Sequence, residues 1–274
     1  MFSVDCTVIS LSIKVFVLVV VSLLSYKEKY LDVKGIMSAV IVGGIIIFLG
    51  GWVFFILLLI FLLVGSILSK TGREETFEFS AYFNGGSIRG WKNVIANGFW
   101  PMYSAIMYYL LPASYKNYAV FLFLGSLTSM MSDTVSTEIG LYFGGEPVLI
   151  TNPKRKVPKG YSGGVTLIGL LGGAIASIIF SFIAVIFLDL YNPLSYLILV
   201  LSGFLGSIFD SFLGALIQAK YRCERCGAIV ETKLHCGYNT VLIKGYESID
   251  NHMVNFLSSL FGGVFAVISY SLLL

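Results

Sequence analysis

Gly164-Val-Thr-Leu-Ile-Gly-Leu-Leu-Gly-Gly-Ala-Ile-Ala-Ser-Ile-Ile-Phe-Ser-Phe-Ile-Ala-Val-Ile-Phe-Leu188 contains no charged side chain. A membrane-spanning helix needs about 20 such residues, so this stretch reads as a span. Just before it come Ser132-Asp133-Thr134-Val135-Ser136-Thr137-Glu138-Ile139-Gly140, then Asn152-Pro153-Lys154-Arg155-Lys156-Val157-Pro158-Lys159, then Gly160-Tyr161-Ser162-Gly163. Carboxylates, cations and a glycine-rich helix start thus crowd against an apolar helix, the composition of a polyanion site at a membrane surface.

With 57% hydrophobic and 12% charged residues, the chain has too few polar groups to cover a water-facing surface. It reads as an all-α polytopic transmembrane bundle of about seven to eight spans. These fall near Cys6–Ser25, Gly35–Gly50, Trp52–Ser69, Gly98–Leu111, Tyr118–Met131, Gly164–Leu188, Leu194–Ala219 and Val254–Leu274. Gly50-Gly51 suits the hinge of a helical hairpin. Lys14 lies in the first span and is expected to snorkel or to face the bundle. No basic segment or small-x-small cleavage site accompanies the first apolar run, so it reads as an anchor.

The segments 26–34, 70–97, 132–163 and 220–253 hold sixteen of the eighteen Lys and Arg residues. By the positive-inside rule they are cytoplasmic, which predicts a cell-membrane protein with its active site facing the cytoplasm. The chain is expected to be one membrane domain over 1–274, with a cysteine-bearing insertion over 220–245. Glycines at 35, 43 and 44 recur at 164, 172 and 173, and Asn93 and Asn97 recur at Asn251 and Asn255. This pattern suits a parallel internal repeat about an axis along the membrane normal, or chance similarity among glycine-rich helices.

Asp133 and Glu138 lie about 140° apart on a helix, so one straight helix cannot aim both at one ion. Either the helix breaks or the two acids have separate roles. Lys154, Arg155, Lys156 and Lys159 lead into Gly160, Gly163 and Gly164, where helix N–H groups and a positive dipole would receive phosphate. The alternative is a basic anchor for lipid headgroups. Asp210 is an intramembrane acid with Ser211, Gly214 and Gln218 nearby. Arg89, Asn93 and Asn97 form a polar stripe, repeated by Asn251 and Asn255, that could receive phosphate.

Cys223-x-x-Cys226 and His235-Cys236 have the composition of a structural Zn²⁺ site, although adjacent His and Cys ligands strain a tetrahedron, and free thiols or a labile disulfide are the alternative. This insertion is expected to be a structural clip and not the reaction centre. Phosphate-loop, protein-kinase, zinc-protease and nucleophile-elbow motifs are absent, and no nucleic-acid partner is expected. Metal-assisted phosphoryl transfer suits what remains.

Ser132-Asp133-Thr134-x-x-Thr137-Glu138-x-Gly140, Lys156-Val157-Pro158-x-Gly160-x-x-Gly163-Gly164-Val165-Thr166, Gly206-Ser-x-x-Asp210-Ser211-x-x-Gly214-Ala215-x-x-Gln218 and Asp250-Asn251-x-x-Val254-Asn255 occur in that order. They resemble the motifs of the integral membrane family called domain of unknown function 92, over roughly residues 30–274. That family includes transmembrane protein 19 of animals and the phytyl-phosphate kinase of plant chloroplasts. It is distantly similar to CTP-using phytol and dolichol kinases. The cysteine loop is a departure from part of the family.

The resemblance implies phosphate transfer from a nucleoside triphosphate, CTP being expected, to an isoprenoid monophosphate in membrane lipid. In that reading Asp133, Glu138 and Asp210 hold Mg²⁺, with Asn97 beside them as a catalytic residue. Lys154, Arg155, Lys156, Lys159, Gly160, Gly163 and Gly164 hold the triphosphate. Arg89, Asn93 and Asn255 complete the phosphate pocket. The competing reading is a lipid or small-anion transporter using the same anion site.

Overall fold

Uncharged apolar runs satisfy their backbone groups within a membrane only by coiling, and the computed structural model has this form over the residues it describes, 6–73 and 88–274. The helices are α1 (Cys6–Lys27), α2 (Val33–Ile45), α3 (Trp52–Arg73), α4 (Trp91–Leu110), α5 (Lys116–Phe143), α6 (Leu167–Phe187), α7 (Pro193–Leu216) and α8 (Asn251–Leu273). Among the described residues, all of these but α4 are long and apolar enough to cross a membrane, α2 together with the turn that follows it to Gly50. Lys92, Asn93, Asn97 and Pro101 make α4 the polar exception, yet it packs against α2, α5 and α8. The protein is a polytopic helical membrane protein. The part of the expected loop over 74–87 lies outside the described residues.

A π-helical turn, Ile46–Gly50, extends α2 to Gly51, whose φ of 89° supplies the expected hinge into α3. Lys14 lies 5.6 Å from the centroid of the exposed Phe48 ring, a cation–π contact on the outer surface of the bundle. Other boundaries move. α4 begins at Trp91 rather than Gly98, α5 runs twelve residues past Met131 to Phe143, and α6 starts at Leu167 rather than Gly164.

α5 is the axis of the fold, packed against α3, α4, α6, α7 and α8. Small residues allow that crowding. A Cβ on Gly125 would come within 2.5 Å of the Gly262 carbonyl oxygen, so α5 and α8 touch backbone to backbone. Ser132 donates to the Gly173 carbonyl at 2.9 Å and Ser129 to the Ser258 carbonyl at 3.1 Å, tying α6 and α8 to the same helix. The buried core runs through Phe54, Phe121, Phe123, Leu124, Leu127 and Met130.

The all-α expectation needs one addition. Two small antiparallel sheets occupy the polar segments. β1 (Val148–Leu149), β2 (Asn152–Lys156) and β3 (Gly164–Val165) stand in the order β2-β1-β3. β4 (Lys220–Cys223), β5 (Ile229–Val230), β6 (Leu234–His235) and β7 (Tyr238–Lys244) stand in the order β5-β4-β7-β6. Strands this short, held by pairing and turns, carry no alternating apolar signature to read.

The starts of α2, α4, α6 and α8 meet the ends of α1, α3, α5 and α7 at one end of the bundle. That end carries the cation-rich segments.

Candidate active site

α5 is unbroken through Ser132–Gly140, so Asp133 and Glu138 leave different faces of one helix and separate roles follow. Asp133 turns toward α7, where Asp210 and Ser207 stand beside it. Asp210 Oδ2 accepts the Ser258 hydroxyl from α8 at 2.7 Å. Glu138 turns toward α3, where its Oε1 accepts the Ser69 hydroxyl at 2.5 Å. Its buried Oε2 has no hydrogen-bond partner among the described residues. An unpaired buried carboxylate oxygen is costly, and a ligand that supplies a donor or a cation removes that cost.

Both faces border one cavity of about 410 Å³ at the cation-rich end. Arg89, Asn93 and Asn255 also line it. Arg89 is held by a backbone bridge to Leu31, and its guanidinium lies over α3, within 2.7 Å of where a Gly65 Cβ would sit. Gly160–Gly164 forms a second wall. Gly160 and Gly163 have φ of 78° and 81°. A Cβ on Gly163 would come within 2.5 Å of Ala215 backbone atoms, so only glycine fits against the end of α7.

Three sets of expected residues stand elsewhere than against the acids of this cavity. Lys154, Arg155, Lys156 and Lys159 do not line the cavity. Lys154, Arg155 and Lys156 lie on β2, exposed throughout, because β2 is the outer strand of its sheet, while β3 across β1 adjoins the glycine loop. Lys156 pairs with Glu146, and Lys159 donates to the Leu141 carbonyl at 3.1 Å.

The α6 start lies three residues beyond Gly164, at Leu167. Thr166 caps it, accepting the Gly169 N–H at 3.0 Å, so backbone facing the cavity there belongs to the loop. Asn97 lines a smaller apolar slot beside this cavity, together with Arg89 and Asn93, rather than the cavity itself. It donates to the Asn93 carbonyl at 2.9 Å and accepts from Asn255 at 3.4 Å, which satisfies a buried amide without substrate.

The cysteine insertion, read as a structural clip, closes the third wall through Glu231. Glu231 accepts the Ser162 hydroxyl, and Lys220 Nζ donates to the Ser162 carbonyl at 2.8 Å. Lys220 Nζ also sits 3.7 Å from the Tyr161 ring centroid. Burial pushes the Glu231 carboxyl up to about 7 against the pull of Lys220, and burial draws the Lys220 ammonium down to about 8. Ser69, Ser162, Lys220, Glu231 and Ser258 were not singled out from sequence. Ser162 had a signal in its glycine run; the others depend on tertiary docking.

The carboxylate oxygens of Asp133 and Asp210, backed by Ser207 and Ser258, are the hard donors that Mg²⁺ prefers. Glu138 stands apart from that pair. Among the described residues, ligand atoms gather within 4.8 Å in a group of three or more only at Cys223, Cys226, His235 and Cys236.

This fold and cavity define a class, a multi-pass helical membrane protein with an acid-lined cavity at one end of its bundle. Residues 16–263 match the family of integral membrane proteins DUF92, and the chain belongs to that family. It is similar to Protein PGR of Arabidopsis thaliana, 30% identical over 270 residues, covering 90% of this chain and 92% of the relative. An uncharacterized membrane protein of Methanocaldococcus jannaschii is 26% identical over 265 residues, 96% of each chain. The chloroplastic protein VTE6 of Arabidopsis thaliana is 27% identical over 152 residues, 56% of this chain and 38% of the relative. No solved structure matches.

Proposed function

We propose that the protein is a membrane-embedded kinase for an isoprenoid monophosphate, using a nucleoside triphosphate, with CTP as the expected donor. The observation that carries this reading is a junction of two spaces. An apolar slot of about 80 Å³ between α1, α2, α3 and α4, lined by Leu18, Ala39, Val42, Phe55 and Leu58, shares Arg89 and Asn93 with the acid-lined cavity. A lipid monophosphate suits such a junction, part of its chain in the slot and its phosphate against Arg89 and Asn93. The family resemblance to the plant phytyl-phosphate kinase supports the same substrate class.

An acceptor phosphate oxygen attacks the γ-phosphorus of the nucleotide, forming a P–O bond. The bond to the β-bridging oxygen breaks and the nucleoside diphosphate leaves. The nucleophile is already anionic, so no strong base is required. Asp133 and Asp210 would hold Mg²⁺, which when bound neutralises charge on the phosphates. Arg89 orients the acceptor, and the Gly160–Gly164 loop lets the donor approach its backbone closely. The cationic segments favour a cell-membrane orientation with the cavity toward the cytoplasm.

Transport through the same site is the competing reading. The core of Phe123, Leu124, Leu127 and Met130, toward the other end of α5, favours transfer over passage. Purified protein incubated with γ-labelled CTP, Mg²⁺ and geranylgeranyl monophosphate should yield labelled lipid diphosphate. Absence of product with every common nucleotide, together with phosphate or lipid flux in liposomes, would establish the transporter instead.

A further inference from the structure

The cysteine cluster is a second site, independent of the phosphotransfer reading. We propose that Cys223, Cys226, His235 and Cys236 bind one zinc ion, and that this ion fastens the cavity wall built by Glu231 and Ser162.

The four residues offer ligand atoms that all lie within 4.8 Å of one another. His235 Nδ1 is 3.5 Å from Cys226 Sγ and 3.3 Å from Cys236 Sγ. The corresponding edge of a tetrahedral zinc site is about 3.5 Å, from its usual Zn–S and Zn–N lengths. Adjacent ligands strain such a cage, and the backbone absorbs that strain. Cys236 has φ of 54° and Gly237 of 79°, a left-handed turn that lets His235 and Cys236 share one centre.

Cys223 is buried, and its sulfur lies 3.7 Å from the His235 carbonyl oxygen, which draws the two halves of the cluster together. Three thiolates and one imidazole leave a zinc site with a single negative charge. Arg225 meets that charge, donating to the Cys236 carbonyl at 3.2 Å beside the Tyr238 ring. Four protein ligands close the coordination sphere, so the ion is structural rather than catalytic.

Its placement gives it a task. The segment between Cys226 and His235 contains β5 and Glu231, and Glu231 accepts the Ser162 hydroxyl in the glycine loop of the cavity. The ion pins both ends of that segment. Cys223 ends β4, which also carries Lys220 and its bond to the Ser162 carbonyl.

The test is metal analysis of the full-length protein purified without chelator or metal resin. About one zinc per chain is expected, replaceable by Co²⁺ with the absorption of a tetrahedral thiolate site and lost in Cys226→Ser/Cys236→Ser. Chelation should then raise amide hydrogen exchange in 227–234 and in 160–164, leaving α5 unchanged. Substoichiometric metal, no Co²⁺ spectrum and a Cys226–Cys236 disulfide would overturn the zinc site. Bound zinc with unchanged exchange in 160–164 would overturn the wall-fastening role. Neither readout uses nucleotide or lipid acceptor, so failure here leaves the kinase reading standing, and the converse holds.

Discussion

Ser258 donates its hydroxyl to Asp210 Oδ2 at 2.7 Å, fixing on α7 the carboxylate that stands beside Asp133 of α5. Two carboxylates brought together from different helices repel unless a proton or cation lies between them. With Mg²⁺ there, Asp133→Asn or Asp210→Asn should lower kcat on the order of 10²-fold or more, because charge stabilisation at the phosphates is lost. The helical circular dichroism and detergent-extracted yield should be retained. Full activity in both variants would exclude the pair from catalysis.

Chain selection follows from the apolar slot. Ala39 lines it on α2, half-buried. Ala39→Phe fills this space and should raise KM for a twenty-carbon acceptor about tenfold, equivalent to about 1.4 kcal/mol. An acceptor of one or two isoprene units should be unaffected. Parallel losses for long and short acceptors would move the chain elsewhere.

The glycine loop predicts a combined loss of stability and activity. Gly163 has φ of 81° and lies against the Ala215 backbone, so Gly163→Ala adds a left-handed penalty of about 1–2 kcal/mol and a clash. Thermal melting should fall and KM for the nucleotide should rise. Gly145→Ala serves as the control, since its Cβ would meet nothing within 4 Å.

How much of this was legible in the chain varies by element. The uncharged run ending at Leu188 declared a span from composition alone, and the charge distribution gathered the polar segments at one end. The 140° phase between Asp133 and Glu138, about what five helical steps give, left either a broken helix or separate roles, and the unbroken α5 decides for the second. The length of α5 was hidden because Ser132–Gly140 is polar by sequence and helical through its neighbours. The cation run misled because β2 pairs on one side only and turns Lys154 and Arg155 outward. Glu231 was invisible as a site residue because nothing local says that the cysteine insertion docks on Ser162.

Glu231 also sets a pH dependence. Its folded pKa of about 7 lies above the ordinary 4.5, so over that interval the native state holds a proton that the unfolded chain has released. Stability therefore falls as pH rises between those values. Lys220, at about 8 against 10.5, acts in the opposite sense, and stability is regained as pH rises through that higher interval. Glu231→Gln keeps an acceptor for Ser162 and removes the acid limb. It should be more stable than wild type by about 1–3 kcal/mol near pH 7.5, with the difference vanishing near pH 4.5. Melting curves across that range check this, and parallel slopes in both proteins would contradict it.

The central claim is that an oxygen of the lipid monophosphate attacks a nucleotide phosphorus in the cavity shared by Asp133, Asp210 and Arg89. Mass spectrometry of the product made from acceptor whose phosphate is fully labelled with ¹⁸O tests it most directly. The account predicts a lipid diphosphate that keeps every acceptor ¹⁸O, one of them bridging the two phosphorus atoms. Its formation should be abolished in Asp210→Asn. A labelled acceptor returned unchanged, or inorganic phosphate carrying oxygen from water as the sole product, would contradict the account.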